Sequence, residues 1–196
     1  MKKIVNIFGY NGIGKTTISI LLAKILSEKN QKVLLVDSKF NNYNIYKILN
    51  KNIENNIIKI EKFFLIKRYS KIYFNKFNII IFDNPSINFL KTKDILKDCI
   101  NIYLAEANLI GIKKLNLLIN KMTKDINFKE AKIIFNKYNS NSIDIEILSK
   151  LFKKIKVGKI EYSDKLDILI NTGKLININK IKADLLKITK ELIKED

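Results

Sequence analysis

The sequence contains no histidine and no tryptophan, and its 196 residues include only one cysteine, one proline (Pro85), one arginine (Arg68) and six glycines. Without histidine, no mechanism can rest on an imidazole base or an imidazole metal ligand. A lone Cys99 excludes an internal disulfide; its place in an apolar run reads as core, and a cytoplasmic setting fits. No apolar run reaches the ~18–20 residues needed to span a bilayer. The opening Met1–Phe8 resembles a signal peptide only superficially, because its short apolar part runs straight into a glycine loop.

Acidic residues are also scarce, 19 against 37 basic ones, for a formal net charge of +18. Such a charge suits non-specific DNA or an anionic surface, reached through lysine-rich faces. Lysine supplies every basic residue except Arg68, however, whereas phosphate recognition commonly draws on arginine as well. The chain is equally crowded with asparagine and isoleucine, so a coding bias accounts for the charge as well as a polyanionic partner does. Residues 38–76 hold nine of the basic residues against Glu54 and Glu61, and are the first place to look for a polyanion contact.

What remains is ordinary for a globular chain: 47% apolar and 29% charged residues. The length suits one domain spanning 1–196. Short β-branched runs at Lys3–Phe8, Lys32–Val36, Phe77–Phe82, Ile100–Leu104, Ala131–Phe135 and Val157–Ile160 read as buried strands. Between the first two, Ile18, Leu21, Leu22, Ile25 and Leu26 form one face of a helix ending near Lys29-Asn30. A second helix carries Ile112, Leu115, Leu118, Ile119 and Met122. A third carries Ile145, Leu148, Leu151 and Phe152, with Ser142 or Asp144 as its N-cap. Tyr43–Leu49 suits a short helix, and Ile57–Ile66 an extra strand or helix. Strands alternating with helices predict an α/β fold, a mostly parallel sheet covered on both faces. The apolar stripe Ile181, Leu185, Ile188 and Leu192 in Lys180–Lys194 lacks Trp or Phe anchors, which favours packing on the sheet over membrane binding.

Three of the six glycines fall in Gly9-Tyr10-Asn11-Gly12-Ile13-Gly14-Lys15-Thr16. Gly-x4-Gly-Lys-Thr is a phosphate loop: glycines let successive backbone N–H groups face phosphate oxygens. Lys15 then reaches the β- and γ-phosphates, the Thr16 hydroxyl ligates Mg²⁺, and the following helix aims its positive end at the same anion. A strand before the loop and an amphipathic helix after it are the context this motif needs. Asp83 closes the strand Phe77–Phe82, where α/β sheets place ligand-facing groups. In phosphate-loop proteins an aspartate there holds Mg²⁺. Asp37, ending the second strand, is a similar candidate, so Lys15, Asp37 and Asp83 form the candidate catalytic set.

Taken in order, Gly-Tyr-Asn-Gly-Ile-Gly-Lys-Thr-Thr (9–17), Val-Leu-Leu-Val-Asp (33–37), Ile-Ile-Ile-Phe-Asp-Asn-Pro-Ser (79–86) and Ile-Ile-Phe-Asn-Lys (133–137) resemble the MinD/ParA family of P-loop ATPases. Gly-Lys-Ile-Glu-Tyr-Ser-Asp (158–164) and Asn-Thr-Gly (171–173) resemble that family's final strand and the loop after it. The resemblance implies a three-layer sandwich that binds ATP with Mg²⁺, dimerises, and switches to position or partition a cargo, in the cytoplasm or at the periphery of a membrane or nucleoid. It implies that Lys15, Thr16 and Thr17 bind phosphates and Mg²⁺, with Thr16 and Asp83 at the metal. Gly9, Tyr10, Asn11, Gly12, Ile13 and Gly14 would wrap the phosphates. Asn136 would meet the adenine edge, and Glu161–Asp164 would flank the base.

Signal-recognition GTPases share such a loop and read guanine with Asn-Lys-x-Asp; here the place reads Asn136-Lys137-Tyr138-Asn139. Guanine needs a carboxylate that accepts two N–H bonds, and an amide offers one acceptor beside a donor, which favours ATP over GTP. Two departures bear on turnover. Tyr10 stands where the family carries a signature lysine that crosses to a partner's nucleotide, and Lys39 where it carries a second aspartate. Both leave binding intact and weaken the case for hydrolysis. A non-catalytic nucleotide-gated scaffold is therefore the first alternative; a signal-recognition-type GTPase or a small-molecule kinase ranks below it.

Overall fold

The computed structural model describes residues 2–38, 44–51, 57–67, 75–83, 99–125, 130–174 and 179–192. Among them, eight strands form one sheet: β1 (Lys3–Gly9), β2 (Val33–Asp37), β3 (Ile57–Ile60), β4 (Phe63–Ile66), β5 (Ile79–Asp83), β6 (Cys99–Ala105), β7 (Glu130–Tyr138) and β8 (Lys156–Glu161). Their spatial order is β3-β4-β2-β5-β1-β6-β7-β8, and every pairing is parallel except β3 with β4. The α/β expectation holds. β1, β2, β5 and β6 are almost wholly buried, which is why they read as continuous apolar runs.

The helices are α1 (Lys15–Glu28), α2 (Asn44–Ile48), α3 (Leu109–Asp125), α4 (Ile145–Leu151), α5 (Lys165–Thr172) and α6 (Asn179–Ile188). One sheet face joins Val5, Ile7, Leu35, Ile81, Ile102 and Ile134 to α1, α5 and α6 in a single apolar cluster. On the other face Phe8, Tyr103 and Phe135 pack with Leu115 and Met122 of α3 and Leu148 of α4. α1 is the central helix: Ile18, Ile20, Leu21, Leu22, Ala23, Ile25 and Leu26 are all buried. Each such isoleucine or leucine contributes about 1.5–3 kcal/mol on leaving water. Cys99 is buried, as its apolar surroundings predict.

The structure resolves several ambiguities. Ile57–Ile66 is an antiparallel hairpin, turned at Glu61 (φ 47°), and not a helix. Asp144, not Ser142, caps α4 by accepting from the Glu146 N–H at 2.7 Å. Asn171 and Thr172 are the last turn of α5, and Gly173 (φ 69°) caps it by donating to Leu169 O at 2.9 Å; the expected loop after the final strand is a helix end. Ile181, Leu185, Ile188 and Leu192 are buried, and α6 lies against β8 and α1, so this stripe packs on the sheet. The packing is close: a Cβ on Gly158 would come within 2.4 Å of Ile188 Cδ1. The helix does not run unbroken to Lys194. After Ile188 the Thr189 hydroxyl donates to Leu185 O and the chain tightens into a 3₁₀ turn, Lys190–Leu192. Lys39, Arg68, Pro85 and Ser86 lie outside the described residues.

Candidate nucleotide site

Parallel strands end on one edge of the sheet, so Gly9, Asp37, Asp83, Ala105, Tyr138 and Glu161 all finish on the same side. The chain leaves β1 toward β2 on one flank and later enters β6 on the other, the topological switch where such sheets bind ligands. The glycine loop leaves β1 at that point. Gly12 (φ 81°) and Gly14 (φ 91°) occupy the left-handed region that disfavours side chains. Gly14 begins α1 with no side-chain cap, and the first turn holds no acidic residue. The first N–H groups of α1 therefore lack an intrahelical acceptor and a side-chain cap, which is the arrangement that receives phosphate.

Lys15 is buried, and its ammonium donates to Tyr10 O at 2.8 Å, closing the loop on itself. Thr16 Oγ1 donates to Asp83 Oδ2 at 2.8 Å. Ser19, one turn further along α1, places Oγ 3.0 Å from Asp83 Oδ1 and 2.9 Å from Lys15 O, its single proton going to one of them. Thr17 is buried beside them. Asp83 is thus a fully buried carboxylate at the foot of the loop, bonded by Thr16 and within reach of Ser19. Asp37 is opposite it in the β2–β5 register, equally buried, and accepts from the Ile45 N–H at 3.0 Å. Thr16 and Asp83 meet at the foot of the loop beside Lys15, whereas Asp37 is the register partner of Asp83 on β2 and bonds α2. Hydroxyl and carboxylate oxygens suit a hard cation such as Mg²⁺, and the uncapped N–H groups suit the phosphates it accompanies; the residues fit the ligand.

On the opposite flank, β7 braces the loop. Asn136 is buried, and its Nδ2 donates to Ile13 O at 2.8 Å while its Oδ1 accepts nothing. Lys137 donates to Gly12 O at 3.1 Å. A Cβ on Gly14 would lie 2.7 Å from Asn136 Nδ2, so the glycine and the asparagine fix each other. Tyr10 turns inward: its hydroxyl accepts from the Glu106 N–H at 3.0 Å, and Lys114 stands 4.7 Å over its ring. Burial pushes the Tyr10 phenol above its ordinary pKa, with the Glu106 carboxylate adding to the rise and the Glu106 N–H opposing it. Beyond Lys137 a cleft of about 370 Å³ opens at the ends of β6, β7 and β8, lined by Glu106, Asn108, Lys137, Asn139, Ser142 and Tyr162 among others. Such a volume suits a small ligand's ring system.

Sequence reasoning missed Ser19 and the bracing role of Lys137. A polar residue at i+3 from Thr16, inside the otherwise apolar stretch Ile18–Ala23, was the available signal for Ser19. Lys137 gave none, because its role depends on the β7 end lying beside the loop.

Residues 4–176 match the CobQ/CobB/MinD/ParA nucleotide binding domain. The chain belongs to that family. No curated protein sequence is significantly similar to it. Among solved structures it resembles apo McdA from Cyanthece, with a TM-score of 0.78 at 17% identity over 99% of this chain and 100% of that one. It also resembles the septum site-determining protein MinD of Pyrococcus horikoshii OT3 complexed with Mg-ADP, with a TM-score of 0.76 at 16% identity over 98% and 96%. A putative plasmid partition protein from Borrelia burgdorferi bound to AMPPNP gives 0.68 at 22% identity over 97% and 98%. These likenesses concern the fold.

Proposed function

We propose that this family member is an ATP-dependent switch of the MinD/ParA kind, which positions or partitions a cargo. The observation that carries the reading is the uncapped start of α1 behind a left-handed glycine loop, with Thr16 and Ser19 gathered on buried Asp83. Bound Mg²⁺-ATP would supply a divalent cation that offsets phosphate charge and a phosphoanhydride open to hydrolysis. Thr16 and Asp83 would hold the cation, and the loop N–H groups with Lys15 would hold the phosphates. Lys15 leaves Tyr10 O to do so. Asp37, the register partner of Asp83 on β2, would be the second carboxylate on that side of the sheet. The nucleoside would lie away from these carboxylates, in the cleft lined by Lys137, Asn139 and Tyr162. Membership of the family and the bound nucleotides named for two structural neighbours support this reading.

A second reading, binding without turnover, is favoured by one observation. Tyr10 is pinned inward by the Glu106 N–H, so it offers no cation to a partner's nucleotide. The test is steady-state phosphate release, alone and with duplex DNA, alongside light scattering to follow nucleotide-dependent assembly. Turnover with a change of assembly state supports the switch; assembly that follows ATP with no turnover supports the scaffold. Neither response would overturn both. Among the described residues no helix is long and apolar enough to cross a membrane.

A further inference from the structure

Resting on the nucleotide reading above, we infer that Ser19 is a positioning residue for the cation. From the second turn of α1 it holds the Asp83 carboxylate, so that Thr16 keeps its lone pairs for a divalent ion. Ser19 is fully buried between apolar neighbours, Ile18 on one side and Ile20–Ala23 on the other. A helix serine ordinarily spends its hydroxyl on a carbonyl one turn back. Ser27 in the last turn of α1 does so with Lys24 O at 2.8 Å, and Ser149 of α4 with Ile145 O at 2.8 Å. Ser19 Oγ has Lys15 O at 2.9 Å, but a second acceptor, Asp83 Oδ1, stands 3.0 Å away. One proton serves one of them. In an α-helix the Lys15 carbonyl is served by the backbone N–H four residues on, and a carboxylate draws a stronger hydrogen bond than a neutral carbonyl. The proton goes to Asp83.

Thr16 and Ser19 fall on one face of a helix that packs on β5, at i and i+3. Each hydroxyl meets a different oxygen of Asp83: Thr16 Oγ1 lies 2.8 Å from Oδ2, and Ser19 Oγ 3.0 Å from Oδ1. The end torsion of an aspartate is soft, so a carboxylate gripped at one oxygen swings about that bond. Two donors from successive turns of one helix fix its plane. A hydroxyl has one proton and two lone pairs. With its proton committed to Asp83 Oδ2, Thr16 keeps both lone pairs for a hard cation. Ser19 acts through Asp83, as the outer partners of metal ligands do.

The test is isothermal titration of the intact chain with ATP, once with Mg²⁺ and once with EDTA, for the wild type and three variants. The readout is the gain in ATP affinity that Mg²⁺ confers, which a loss of packing alone does not move. Ser19→Ala removes the hydroxyl; Ser19→Cys keeps the side-chain volume and offers only a weak donor. Both are expected to cut the Mg²⁺-dependent gain by about tenfold or more, with the affinity in EDTA held. Ser27→Ala removes a helix hydroxyl bonded to Lys24 O, away from Asp83, and is expected to leave the gain as in the wild type. A gain unchanged in folded Ser19→Ala and Ser19→Cys, a loss equal with and without Mg²⁺, or an equal fall in Ser27→Ala overturns the assignment while nucleotide binding stands. A wild type that binds no ATP, or whose ATP affinity is indifferent to Mg²⁺, overturns the nucleotide reading, and the assignment falls with it.

Discussion

Gly14→Ala tests whether the loop and β7 are one mechanical unit. The backbone at Gly14 has φ 91°, and a Cβ there would sit 2.7 Å from Asn136 Nδ2, which donates to Ile13 O at 2.8 Å. Placing an L side chain in the left-handed region costs about 1–2 kcal/mol. Displacing Asn136 to make room removes one buried hydrogen bond, about 1 kcal/mol more. The sum, about 2–3 kcal/mol, lowers the melting temperature of a chain this size by about 4–12 °C. The same substitution in an Asn136→Ala background meets no amide, so only the backbone strain remains, about 1–2 kcal/mol. Thermal and denaturant unfolding of the four proteins of this cycle give a coupling of about 1 kcal/mol between the two sites. Strict additivity would refute the claim that Asn136 and Gly14 hold each other in place.

Three further outcomes follow from contacts elsewhere. Tyr10→Phe removes the acceptor for the Glu106 N–H at a cost of about 1 kcal/mol, and hydrogen exchange at that amide should rise while ATP binding persists. Gly158→Ala places a methyl against Ile188 and should destabilise by about 1–3 kcal/mol in denaturant titration, with no change in nucleotide affinity. The hydrogen bond from Lys180, reinforced by its charge, holds the Glu161 carboxyl below its ordinary pKa. A lowered folded-state pKa stabilises above the unfolded value, so the contribution is present at neutral pH and lost as pH falls through the folded pKa. Lys180→Ala should move that titration back upward, as read by carboxyl NMR shifts.

The parts of this protein legible in its sequence are those where local pattern and burial agree. The apolar runs at β1, β2, β5 and β6 are strands because both their faces are covered, and the i, i+3, i+4 spacing of α1 survives because that helix lies on the sheet. The loop was readable because its glycines answer a backbone requirement at fixed spacing. Other features depended on contacts distant in sequence. Ile57–Ile66 gave no clear period because the edge strand β3 is only partly buried whereas β4 beside it is almost wholly buried. Lys165–Thr172 was not anticipated as a helix, since its packing depends on Leu166 and Leu169 meeting α1 and α2. Asn136 shows the same limit at the site: the resemblance implies a place at the adenine edge, whereas its bond to Ile13 O follows from β7 running past the loop.

The central claim, that this loop binds ATP through its phosphates and a divalent cation, is tested most directly by calorimetric titration with ATP, with and without Mg²⁺, on the wild type and Lys15→Ala. The account predicts Mg²⁺-dependent binding at micromolar concentrations by the wild type and none by folded Lys15→Ala. Equal binding by the two proteins, or none by the wild type, would contradict it.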